Sequence, residues 1–189
     1  MGQPEHELDT TQQPDEARLL EAYRDQLGRD PQSFEKLHGR ALLLLRRSGV
    51  MSGLSTPDRG MKTLVQRVPS AAFRDLPPSR YMVFPVRKTE RSLIDRFYSV
   101  GQTRNNDIVV RDVSVSKFHA YFQDEGDAFV IQDARSTNGT FVNGQRVPRQ
   151  GEGEPIAVRS GDRVRFGNVE LTLMGAEEFL ELLADVYGE

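Results

Sequence analysis

The chain has 189 residues, 37% of them hydrophobic and 28% charged, with a formal charge of -3 and no cysteine. That length holds one good core with an appendage, or two small domains. Near-neutral charge excludes a polyelectrolyte trap for nucleic acid, and the lack of cysteine removes disulfides, thiolate chemistry and Cys-ligated zinc.

The longest apolar run, Ala41 to Leu45, is too short to span a bilayer. The polar start Met1-Gly-Gln-Pro-Glu-His does not read as a signal peptide, and His at position 6 breaks the myristoylation pattern that Gly2 would open. The expected location is cytoplasmic.

Residues 1–13 contain one large apolar residue, Leu8, which offsets little ordering entropy, so a disordered tail is expected. Residues 14–76 read as a helical region of unassigned role. Pro14 to Leu27 is predicted helix, with Asp15 and Glu16 at the positive end of the dipole and Gly28 as its stop. Asp30-Pro31 opens a second, with Phe34, Leu37, Ala41, Leu44 and Leu45 on one face and Arg46, Arg47 and Gly49 marking its end. Thr56-Pro57-Asp58 opens a third, along which Met61, Leu64, Val65 and Val68 follow at helical spacing. These apolar positions read as core. A helical core of this size is marginal alone, so it is expected to lean on the rest of the chain or on a partner.

Leu76-Pro-Pro-Ser79 is a boundary, and residues 79–175 carry a β pattern. Tyr81 to Arg87 and Phe97 to Val100 are strand-like, with Pro85 demoting the first to an edge or a strand end. Ile108 to Val110, Phe118 to Phe122, Phe129 to Ile131 and Phe141-Val142 follow as short runs rich in β-branched and aromatic residues. The predicted core is Ile108, Val110, Ala120, Phe122, Ile131, Val164, Phe166, Leu171 and Leu173. Asn143-Gly144 is the strongest hairpin signal. Residues 176–189 close the chain as an amphipathic helix with Phe179, Leu182, Leu183 and Val186 as its stripe. The fold class is therefore mainly β, an antiparallel sandwich with helices at both ends of the chain.

Polar clusters alternate with the strands: Gly101 to Asp107, Ser116-Lys-Phe-His119, Ser136-Thr-Asn-Gly-Thr140 and Asn143-Gly144. Loops of a sandwich meet at one end and build a surface there. Taken alone, Asn138-Gly139 also reads as a positive-φ turn and Ser116 as a turn-capping hydroxyl. His119 is one of three histidines and has no His/Asp/Glu cluster at ligand spacing, so no metal is expected. There is no Gly-rich phosphate loop and no nucleophile motif, which argues against an enzyme and against a cofactor. Asp107, Asp112 and Asp133 are interleaved with the loop arginines, which argues against nucleic acid.

These clusters, in this order, resemble the forkhead-associated (FHA) domain. That family is an eleven-stranded antiparallel β-sandwich that binds phosphothreonine peptides through loops at one end. Its pattern is Gly-Arg, Ser-x-x-His, Thr/Ser-Asn-Gly and a second Asn-Gly, matched here by Gly101, Ser116 to His119, Thr137 to Gly139 and Asn143-Gly144. The resemblance covers about Ser79 to Met174. It implies that Ser116 and Lys117 contact phosphate and that Thr137 and Asn138 hold the ligand's main chain. It further implies that Gly101, His119 and Gly139 support the site, His119 from behind through a hydrogen bond to a loop carbonyl or hydroxyl.

A phosphothreonine carries close to two negative charges and three acceptor oxygens. Hydroxyl and backbone donors, the Lys117 point charge and an amide that grips a peptide backbone suit it chemically. The departure is at Gln102, where the family has an Arg that holds both the loop and the phosphate. Gln102 still ties loops together but supplies no charge. Arg104 is two residues on, with Arg111 and Arg135 in neighbouring loops.

Two functions of different classes follow. One is a non-catalytic phosphothreonine-reading adaptor in Ser/Thr kinase signalling, with weakened phosphate affinity. The other is a phosphorylation-independent interaction module. Asp9-Thr10-Thr11-Gln12 adds an expectation by resemblance: Thr10 and Thr11 are candidate phosphorylation sites whose tail would bind the chain's own site.

Overall fold

The computed structural model describes residues 18–46 and 77–188, apart from Leu93 and Asp127. The expected tail with Thr10 and Thr11, and the third expected helix, lie outside the described residues.

The described chain opens with a short strand, β1 (Arg18–Leu19), a 3-10 run over Leu20–Gln26, helix α1 (Pro31–His38) and strand β2 (Ala41–Arg46). After a second 3-10 turn come β3 (Tyr81–Val86), β4 (Tyr98–Gly101), β5 (Ile108–Val109), β6 (Ala120–Asp124) and β7 (Phe129–Asp133). Then follow β8 (Thr140–Val142), β9 (Gln145–Arg146), β10 (Ile156–Val158), β11 (Arg163–Phe166), β12 (Val169–Gly175) and α2 (Ala176–Tyr187). One sheet has seven strands in the order β1-β3-β2-β12-β11-β8-β9, and the other has five in the order β10-β7-β6-β4-β5. Pairing is antiparallel except between β4 and β5. The twelve strands among the described residues compare with the eleven expected, and the mainly-β sandwich is the observed class.

The sheets face each other across one core, where Leu43, Phe84, Val100, Phe122, Ile131, Phe166 and Leu171 meet. Each position expected to be buried between Ile108 and Leu173 is exposed by 3% or less. A second core lies on the outer face of the seven-stranded sheet. There Leu42, Leu44, Val83 and Met174 pack under Leu20, Tyr23, Phe34, Phe179 and Leu182. The molecule is thus three layers: sheet, sheet, helices.

The N-terminal region departs from the sequence reading in two places. The first expected helix is β1 followed by a 3-10 run. The second begins as expected, with Asp30 accepting from the Ser33 amide at 2.9 Å and Pro31 in its first turn, but ends at His38 instead of running to Arg47. Gly39, at φ 90°, stops it, and Ala41–Arg46 is strand.

The run Ala-Leu-Leu-Leu-Leu is apolar at every position, so its periodicity distinguishes neither state. Burial on both faces settles it. β2 lies between β3 and β12, with Leu43 in the sandwich core and Leu42 and Leu44 under the helices. The expectation that this region leans on the sandwich thus takes a stronger form, since β2 is a middle strand of it. Pro85 fits because β1 pairs only with Met82 and Val83, so Pro85 lies past its end.

The expected hairpin joins β8 to β9 through Asn143 and Gly144, at φ 50° and 83°. Asn143 also accepts from the Arg163 amide and donates to Asp162, fixing this turn against β11.

Candidate functional site

Three connections meet at one end of the sandwich: residues 102–107 after β4, 110–119 between β5 and β6, and 134–139 between β7 and β8. Gly101 ends β4 so close to the second that a Cβ there would overlap the Lys117 carbonyl. The Gln102 amide donates to the Ser116 carbonyl at 2.9 Å. The Lys117 carbonyl also accepts from Asn106 Nδ2 at 2.7 Å and Thr103 Oγ1 at 2.9 Å. The first two connections are therefore laced together by one main-chain bond and by two side-chain donors that reach the Lys117 carbonyl.

The third connection is pinned from below by Asp133, which is fully buried. Its carboxylate accepts from the Ser136 amide at 2.9 Å, Ser136 Oγ at 2.6 Å and Thr140 Oγ1 at 2.7 Å. Ser136 Oγ accepts in turn from the Gly139 amide. His119, also fully buried, bridges the loops: its Nδ1 accepts from the Ser116 amide at 2.9 Å, so Nε2 carries the proton and donates to the Gly139 carbonyl at 3.1 Å. Burial lowers its pKa below 6.5, partly offset by the Gly139 carbonyl and Asp133. The neutral ring thus has both nitrogens engaged in holding loops. It stands edge-on to Phe166, with centroids 5.7 Å apart.

On this base, Ser116 of the second connection and Thr137 of the third meet. Ser116 Oγ accepts from the Thr137 amide at 3.1 Å and lies 3.4 Å from Thr137 Oγ1. Asn138 Nδ2 donates to the Ser114 carbonyl at 2.8 Å, orienting its amide oxygen away from that bond. Lys117, Thr137 and Asn138 are exposed. Ser116, Lys117, Thr137 and Asn138 therefore share one surface, with Gly101, His119 and Gly139 beneath it.

Gln102 is adjacent through its main chain, but its side chain turns to the Asp112 carbonyl at 3.0 Å and ties the loop. Arg104 is exposed on a depression lined by Gln102, Thr103, Arg111, Asp112 and Val113. Arg135 is drawn off to the Gln150 carbonyl.

Sequence reasoning missed the groups that hold this surface in place. Asp133, Ser136 and Thr140 form a pattern too generic to single out. Asp107 is a second buried carboxylate, accepting from the amides of Thr89 and Ser99, from Ser99 Oγ and from Lys88 Nζ. Burial pushes its pKa up, but the bonds from Ser99, Lys88 and Thr89 outweigh it and the net shift is downward. Its partner Lys88 is 19 residues away, which no local pattern reports. Among the described residues no group of three or more His, Cys, Asp or Glu is placed to hold a metal ion.

The profile of the FHA domain family matches residues 98–167, the stretch that carries all three connections. The chain carries an FHA domain. Curated relatives match over the same scale of length. The ABC transporter ATP-binding/permease protein Rv1747 of Mycobacterium tuberculosis is 39% identical over 72 residues, 38% of this chain and 8% of that protein. The oxoglutarate dehydrogenase inhibitor of Corynebacterium diphtheriae is 38% identical over 85 residues, 44% of this chain and 55% of that one. The glycogen accumulation regulator GarA of Mycolicibacterium smegmatis is 36% identical over 76 residues, 40% of this chain and 44% of that one. The chain thus spans at most about half the length of these relatives.

Among solved structures, Mycobacterium tuberculosis EmbR in complex with a low affinity phosphopeptide is 32% identical, over 42% of this chain and 20% of that one, with a TM-score of 0.37. Among the described residues of the FHA-bearing chain, no helix is long and apolar enough to cross a membrane.

Proposed function

We propose that the protein is a non-catalytic adaptor that binds phosphothreonine peptides at the loop end of its FHA domain, with weakened grip on the phosphate. The observation that carries this reading is the junction of Ser116 and Thr137. Two hydroxyls and a backbone amide meet there, next in sequence to the exposed Lys117 and Asn138. A phosphate arriving there replaces one long hydroxyl contact with charge-assisted bonds from Ser116 Oγ and Lys117. Asn138, held through Nδ2, offers its oxygen to a peptide amide. The relatives named as an inhibitor and as a regulator favour a regulatory, non-enzymatic role. So does a buried histidine with both nitrogens committed.

A second reading, phosphate-independent protein binding, is favoured by one observation. The Gln102 side-chain amide gives one of its two N–H donors to the Asp112 carbonyl, and position 102 carries no guanidinium where the family resemblance calls for one. Hydrogen bonds to charged groups contribute about 1.5–3 kcal/mol, so the absent Arg weakens phosphate binding about 10- to 100-fold. Lys117 and Arg104 recover part of that as salt-sensitive point charges.

The test is titration of wild type and Gln102→Arg with phosphorylated and unphosphorylated threonine peptides at two salt concentrations. The adaptor reading expects a modest preference for phosphothreonine in wild type and about a 10- to 100-fold gain in Gln102→Arg. If neither protein distinguishes the peptides across a broad library, the phosphate-independent module is the better account. A phosphorylated Thr10 or Thr11 on the chain's own tail belongs to the same proposal. Amide shifts at Ser116, Lys117 and Asn138 in the monomer would report it.

A further inference from the structure

Along one side of the sandwich the two sheets leave a groove of about 500 Å³ between them. Leu45, Met82, Phe84 and Val169 line it from the seven-stranded sheet, and Val109 and Val110 from the end of β5. Leu45, Met82 and Val169 pack against the sandwich core yet are only partly buried. Leu19 and Leu45 stand opposite Met82, one on each side, so the three share a face, and Leu19 is 36% exposed. At its polar end the groove reaches Arg104, Arg111 and Asp112, which also line the adjoining depression where Val113 is 96% exposed. A continuous apolar strip with a charged rim marks a docking surface, unlike singly scattered exposed residues.

The course of the chain says what can cover it. Leu45 and Met82 lie in the groove wall, and Arg46 stands opposite Tyr81 in the next register position. Residues 47–76, outside the described residues, therefore leave and return at the lip of the groove. Within them Met61, Leu64, Val65 and Val68 recur at helical spacing after Thr56-Pro57-Asp58. At 100° per residue these four share one face, with Asp58 at its edge and Arg59, Lys62 and Arg67 turned from it. A helix from Pro57 to Val68 is about 18 Å long. The residues on either side of it span more than about 25 Å each when extended, so the reach is ample.

We propose that residues 57–68 dock in this groove as an amphipathic helix, with Met61, Leu64, Val65 and Val68 against Leu45, Met82, Val109 and Val169. Asp58 complements Arg104 and Arg111 at the polar end. Tethering at both ends makes the contact intramolecular, at millimolar effective concentration on the order of a short flexible link, which favours this segment over a second copy or a partner. The docked helix would abut Asp112, whose carbonyl holds Gln102 and whose carboxylate holds Ser114. The segment thereby buttresses the start of the second connection from the side away from Ser116 and Lys117. The proposal stands independently of the phosphothreonine reading.

The experiment exploits a chain without cysteine. Met82→Cys is combined in the full chain with Val65→Cys, on the apolar face, or with Gln66→Cys, on the opposite face. Each monomer is oxidised with dilute oxidised glutathione. A disulfide needs Cα atoms within about 7 Å, so the Val65 pair should close at least about tenfold faster than the Gln66 pair. As a second measurement, Leu64→Ala with Val65→Ala should lower the melting temperature by about 4–8 °C. Alanine favours the helix itself, so that loss reports packing and not propensity.

Equal closure of the two pairs, or a double-alanine variant that melts with wild type, overturns the docked helix. Disulfide-linked dimers in place of closed monomers overturn it too, and assign the groove to a second copy of the chain.

Discussion

The front and the back of the candidate site are built to opposite rules. At the back, His119, Asp133, Ser136 and Thr140 are buried to 1% exposure or less and bonded by contacts of 2.6–3.1 Å. At the front, Lys117, Thr137 and Asn138 are exposed, and Ser116 and Thr137 are joined by contacts of 3.1 and 3.4 Å. A buried polar group left unpaired is costly, so the back has little freedom to change partners. A long, exposed contact costs little to exchange, so the front can give its donors to a ligand. Position is fixed where no ligand reaches, and bonding capacity is kept where one does.

The largest expected effect breaks the back. Phe166→Ala removes a fully buried ring that touches both Phe122 and His119, and should cost about 3–5 kcal/mol. Chemical denaturation measures it, and a loss below about 1 kcal/mol would mean that the core and the loops are not one unit. Asp133→Ala comes next. It strands the Ser136 amide and two hydroxyls, and about 2–3 kcal/mol of stability should go with it. Amide shifts should move at Thr137 to Gly139 as that connection loosens.

Changes at the front should behave in the reverse manner. Ser116→Ala and Lys117→Ala should leave stability within about 0.5 kcal/mol, yet abolish the preference for phosphorylated peptide. A large stability loss in either would erase the contrast.

The smallest effect is on pH dependence and sharpens the contrast instead. His119 and His38 both have folded pKa values below 6.5, from burial first, with Arg87 and Arg18 adding to it for His38, which falls to about 4. The unfolded chain therefore takes up protons before the folded one does, and stability falls as pH drops below 6.5. For His38 the decline runs down to about pH 4. Melts from pH 7 to 4 should show it, and His119→Gln should flatten part of it. A flat profile in wild type would mean that His119 is not held neutral by the fold.

What the sequence disclosed follows from distance along the chain. Ser116 to His119 and Thr137 to Gly139 are local patterns, and their meeting was legible from the family resemblance. The core from Ile108 to Leu173 was legible because period-2 alternation marks a strand buried on one face. Ala41–Arg46 was not, because a strand buried on both faces has no alternation to read. The Lys88–Asp107 pair was not, because it joins residues 19 apart that lie outside the strands, where no local pattern reports it. Gln102 was legible as a departure, but that its amide would turn to the Asp112 carbonyl needed coordinates.

The position of β2 has a consequence for how the molecule can be divided. Arg46 stands opposite Tyr81, and every residue from Ala41 to Arg46 has a partner on β3. The covalent link between these two neighbours is therefore not what holds them side by side. A cut in the chain between residues 47 and 76 would leave two fragments whose affinity is the pairing of Ala41 to Arg46 with β3 and of Ala41 to Leu44 with β12, plus Leu42, Leu43 and Leu44 buried on the two faces of β2. Such fragments, mixed, should reassemble as a split protein. The larger fragment alone should expose an unpaired β12 edge that recruits strands from other copies.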